Sequence, residues 1–89
     1  MSYISSMKKA LDYIESNLQE DMNLSAVARE AGYSLYHFHR VFKGIVGDSL
    51  KDYVRKRRFT EAAKELVYTN KAIVEIAISY GYESREAFS

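Results

Sequence analysis

The amino-acid sequence predicts an all-α protein built from two helix-turn-helix subdomains joined by a long helix. Three observations carry this. Apolar residues recur at the spacing of helix faces, and no alternating stretch long enough for a useful strand occurs. Asn23, Ser34 and Ser49, all good N-caps, each stand directly ahead of such a stretch. The third observation is an internal echo: VAREAGYSLYHF at 27–38 returns as IAISYGYESREAF at 76–88, with glycines 49 residues apart.

Each element follows from local chemistry. From Ile4 the residues Met7, Leu11, Ile14 and Leu18 recur at helical spacing with Lys8, Lys9, Asp12 and Glu15 on other faces, so the first helix is amphipathic. The polar stretch 19–23 interrupts it, and Asn23 is placed to cap a second helix over 24–31. Gly32 follows and can take the positive φ that ends a helix. Ser34 opens a third helix expected to run to Lys43 and to close in a loop over 44–48, after which Ser49 opens a longer one from Leu50 to about Val67. Thr69 and Asn70 break it, a short helix is expected from Ile73 to Tyr80, and Gly81 ends that one. Ser84 begins a last segment. The expected organisation is a first subdomain over 1–48, a joining helix over 49–69 and a second subdomain over 70–89.

Two helices that cross through a short turn need a small residue at the crossing and a turn residue free of Cβ clash. Ala28 and Ala77 supply the first, and the turn glycines Gly32 and Gly81 the second. Val27, Ala31, Tyr33, Phe38 and Val41 are the expected apolar positions of the first unit; Ile76, Tyr80, Tyr82 and Phe88 are those of the second.

Composition removes most other classes. With 89 residues there is room for one small domain or two subdomains sharing a helix, and none for a separate substrate lobe. The chain has no cysteine, hence no disulfide framework, thiolate nucleophile or cysteine zinc site, and a reducing compartment is the default. It also lacks a dinucleotide fingerprint, a P-loop and a nucleophile elbow, so no enzyme is expected. His37 and His39, the only histidines, project about 200° apart on a helix and cannot share a metal ion. Ser34, Ser49 and Ser84 are better explained as caps than as nucleophiles. No cofactor is expected. Apolar runs reach only three residues, too short for a spanning helix or the core of a signal peptide, so no membrane partner is expected either.

The formal net charge of +1 hides a partition. Residues 36–64 carry eight basic and three acidic groups, whereas 1–35 carry three and five, and 65–89 carry two and four. A basic centre points to an anionic partner. On the third helix, with Tyr36 as origin and about 100° per residue, Arg40 falls near +40°, Lys43 near −20° and His39 near −60°. Phe38, Phe42 and Ile45 cluster on the opposite side. One face is core; the other is basic and aromatic, suited to base edges and phosphates.

The stretches GYSLYHFHRVFK from Gly32, GDSLKDYVRKRR from Gly47 and IVEIAISYGYES from Ile73, with the joining helix between them, resemble the DNA-binding domain of the AraC/XylS family of transcription regulators. The similarity extends from about Met7 onward and is nearest to the MarA/SoxS/Rob-like branch, whose DNA-binding region begins almost at the first residue. The resemblance implies two homeodomain-like bundles and a sequence-specific DNA-binding regulator, an activator in that branch, which places a recognition helix in the major groove. It implies base contacts from Tyr36, His39 and Arg40 in the first unit and from Glu86 and Ser89 in the second. The chain stops at Ser89, before the family's next arginine and final helix, and is expected to bind DNA mainly through its first half. Double-stranded DNA is the expected partner, with RNA polymerase as a second, binding as a monomer in the bacterial cytoplasm at the nucleoid.

Phosphate contacts are expected from Lys43 and from the run Arg55, Lys56, Arg57 and Arg58. Those four point in several directions around their helix, so at most two can track phosphate together while others pair with Asp52, Glu61 or Glu65. Two competing classes are a helical protein-interaction module, for which eight tyrosines offer amphipathic surface, and the DNA-binding fragment of a larger effector-sensing regulator.

Overall fold

A computed structural model describes residues 3–81, which form five helices and, among the described residues, no strand. In chain order these are α1 (Tyr3–Ser16), α2 (Leu24–Glu30), α3 (Leu35–Val46), α4 (Leu50–Tyr68) and α5 (Ile73–Ser79). Three of the four expected caps are in place; the fourth, Ser84, lies outside the described residues. Asn23 Oδ1 accepts from Ser25 N–H at 2.8 Å, Ser34 Oγ from His37 N–H at 3.3 Å, and Ser49 Oγ from Asp52 N–H at 3.2 Å. Ala72, at the same position of α5, makes no side-chain cap.

The turn from α2 to α3 is closed by backbone bonds. Tyr33 N–H donates to Ala28 O and Gly32 N–H to Arg29 O, both at 3.0 Å, a Schellman closure that requires the left-handed residue Gly32 supplies at φ 83°. Gly81 repeats the conformation after α5 at φ 86°, with its N–H on Ile78 O at 3.1 Å. Ala28 and Ala77, the small residues of the two echoes, are both buried.

One apolar core runs through all five helices: Met7, Ala10 and Ile14 from α1, Val27 and Ala28 from α2, Phe38 and Phe42 from α3, Leu50, Val54 and Ala62 from α4, and Ile76 and Ala77 from α5. A file of rings links its parts. Tyr3 meets Tyr33 and Tyr33 meets Phe38, each at 6.3 Å between centroids; Phe38 meets Phe42, and Phe42 meets Tyr53 of α4, each at 5.5 Å. Such contacts add to the burial of each ring and fix α3 between α2 and α4.

Four expectations need correction. α3 does not stop at Lys43: it continues through Gly44 to Val46 and ends at Gly47, which takes φ 94° and donates its N–H to Lys43 O at 2.9 Å. A glycine inside a helix costs only about 1 kcal/mol, and the left-handed glycine three residues later makes the better terminus. Ile45 is 54% exposed and not core; in the last turn of α3 it is Val46 that packs against the core. Ile4 likewise is exposed, and the core positions of α1 are Met7, Ala10 and Ile14. α1 closes early, at Ser16, where Asn17 Nδ2 donates to Tyr13 O at 2.8 Å; Leu18 is then buried from outside the helix.

Candidate nucleic-acid interface

The outer face of α3 follows from what its inner face buries. With Phe38 and Phe42 fully inside, Tyr36, Arg40 and Lys43 stand exposed and His39 half-buried on the other side. Tyr36 is 73% exposed. Arg40 Cζ lies 5.9 Å from the Tyr36 ring centroid. His37, one residue off this face, rests its ring on Tyr33 at 4.9 Å. Among the described residues, no carboxylate pairs with Arg40 or Lys43.

The basic run on α4 is different in kind, and it divides in two. Arg55 pairs with Asp52 at 3.4 Å and Lys56 with Asp48 at 3.3 Å, both as exposed ion pairs. Arg57 is largely covered and holds Glu15 of α1 with two bonds, 3.1 Å from Nε and 2.6 Å from a terminal nitrogen, while also reaching Glu61 at 3.2 Å. Its pKa is held well above the ordinary arginine value, first by the hydrogen bond to Glu15. Arg58 donates from Nε to Leu18 O at 2.9 Å and from a terminal nitrogen to Glu20 O at 2.8 Å. These two arginines tie α4 to α1 and to the connection after it. Their partners lie about forty residues away in sequence, at separations of 42 and 38–40, so no local spacing could have found Glu15 or the two carbonyls.

At the far end of α4, Glu65 accepts from Lys71 at 2.9 Å, and the Lys71 ammonium, then the Tyr80 hydroxyl, hold its carboxyl below the ordinary glutamate range. Of the second unit, Gly81 lies where the echo placed it; Glu86 and Ser89 lie outside the described residues. Among the described residues no group of histidine and carboxylate side chains could hold a metal ion, and no helix is long and apolar enough to cross a membrane.

A family model described as "Helix-turn-helix domain" matches residues 10–89. The structure superposes with a TM-score of 0.89 on a transcriptional regulator from Chromobacterium violaceum, described as a protein containing an AraC-type DNA-binding domain, at 28% identity over 96% of this chain and 76% of that one. The chain belongs to the AraC-type helix-turn-helix family. This AraC-type chain is 41% identical over 83 residues to the transcriptional activator AarP of Providencia stuartii, covering 93% of itself and 62% of AarP. It is 40% identical over 79 residues to the multiple antibiotic resistance protein MarA of Escherichia coli, covering 89% of itself and 62% of MarA. Against the regulator YbfP of Bacillus subtilis the identity is 39% over all 89 residues, which is 30% of that protein. The chain thus spans less than two thirds of the length of each of these curated relatives. The family is one of transcription regulators, and its all-helical fold is the one observed here.

Proposed function

We propose that this chain binds double-stranded DNA in a sequence-dependent way with α3 in the major groove, and regulates transcription from there. The observation that carries the reading is the contrast between the two basic surfaces. The cations of α3 face solvent without carboxylate partners, while the four of the run Arg55, Lys56, Arg57 and Arg58 on α4 are paired or built into the fold. Arg40 and His39 are assigned to base edges, where an arginine fork matches guanine O6 and N7. Lys43 is assigned to phosphate, with Arg55 and Lys56, whose exposed partners a phosphate can replace. Arg57 and Arg58 are assigned to holding the molecule together. Glu86 and Ser89 are the proposed readers of the second unit.

α4, at 19 residues, is about 28 Å long, near the roughly 34 Å between successive major-groove faces. A helix of this length can set two units on successive faces of one duplex without a second copy, which favours monomeric binding. The activator among its relatives supports RNA polymerase as a further partner.

The test uses a duplex recovered from a random pool by the wild-type chain, and a scrambled duplex. Arg40→Ala is expected to cost about 1–3 kcal/mol on the recovered site and to flatten its base preference; Lys43→Ala should weaken both duplexes about equally. Affinity should fall steeply with salt, as it would not for an apolar protein interface. Identical base preferences for wild type and Arg40→Ala would remove the reading.

A further inference from the structure

Arg40 is the one cation on the outer face of α3 with a partner among the described residues, and that partner is an aromatic face. The arrangement follows from helix geometry. Side chains lean toward the N-terminus of their helix, so a residue at i+4 lies back over residue i, and Arg40 is four residues after Tyr36. The guanidinium carbon comes to rest 5.9 Å from the ring centroid. A carboxylate at that position would occupy the N–H edges of the guanidinium, as Glu15 does for Arg57. A ring instead attracts the cation through its π-system and leaves the donor edges open.

We infer that Tyr36 is a positioning residue for Arg40: its ring holds the guanidinium in a narrowed set of orientations with all donors free, so that a guanine edge meets a pre-set fork. This rests on the proposed DNA reading and deepens it, by assigning the Tyr36 ring a role through Arg40 in place of a base contact of its own. A flexible arginine loses rotamer freedom when it pairs with a base. A platform that narrows those rotamers beforehand reduces that loss. The work is done by the ring, so the phenol oxygen is dispensable.

The experiment is a double-mutant cycle on the duplex recovered by the wild-type chain, with a scrambled duplex alongside and thermal melting of every variant. Tyr36→Ala is expected to reduce the preference for the recovered duplex about three- to fivefold, centred on the base pair whose preference Arg40→Ala abolishes. Tyr36→Phe should keep the preference within about twofold. In the Arg40→Ala background, Tyr36→Ala should change nothing further. Full preference in Tyr36→Ala overturns the inference. So does an effect that adds to that of Arg40→Ala, since it would show a base contact made by Tyr36 alone. Failure of the wild-type chain to recover any preferred duplex would instead remove the DNA reading itself.

Discussion

At the scale of single residues, Gly32 shows how a position can be demanding for one reason only. A Cβ added there would meet nothing within 4 Å, so no steric neighbour excludes a larger side chain. The φ of 83° is the whole constraint, and for an ordinary L-residue the left-handed region costs about 1–2 kcal/mol, more when the side chain is β-branched. Gly32→Val is therefore expected to lower the unfolding free energy by more than about 1 kcal/mol, and Gly32→Asn by less, in urea denaturation. An unchanged midpoint for Gly32→Val would refute a left-handed turn. This requirement was legible in the sequence because glycine followed by an aromatic occurs twice at matching places in the echo. The pairing of Arg57 with Glu15 was not, since it joins residues that only the packing of α4 on α1 brings together.

Elements were legible where their ends are chemical. α2, α3 and α4 begin where Asn23, Ser34 and Ser49 supply an acceptor, and the hydrogen bonds confirm all three. Ser34 opens the element that carries the proposed reading face, so its cap orients that face. Ser34→Ala is expected to cost about 1 kcal/mol in urea denaturation, with Ser34→Asp restoring most of it; equal stability of all three chains would mean the cap contributes nothing. The C-terminus of α3 was read three residues early because two glycines, Gly44 and Gly47, compete as terminators. Identity alone cannot separate them: only Gly47 has the left-handed conformation and donates its N–H to the carbonyl of Lys43. Ile45 was misplaced for a related reason. Angular position says which way a residue points, not whether the neighbouring helices extend far enough to cover it.

On the scale of the whole molecule, the described residues form a rod 43 Å long and about 20 Å across, held along its length by ion pairs as well as by core. Arg57 joins α1 to α4, and the Glu65–Lys71 pair joins the end of α4 to the approach to α5. Arg57→Ala leaves Glu15 without its partner and is expected to cost about 1–2 kcal/mol at neutral pH, the low end of the weight of hydrogen bonds to charged groups because the Glu15 side chain is 43% exposed. Acid should loosen the same structure. Glu61 is held below the ordinary glutamate range, first by its bond to Lys64 at 3.0 Å, and Glu65 by Lys71. Groups depressed in the folded state stabilise it above their unfolded value and lose that contribution as pH falls through the folded one. The melting temperature should therefore begin to drop below about pH 4.5 and continue downward as these carboxylates protonate. A chain carrying Glu61→Gln and Glu65→Gln should start less stable at neutral pH and fall less steeply over that range. Parallel profiles for the two chains would show that neither carboxylate contributes to the acid sensitivity of the fold.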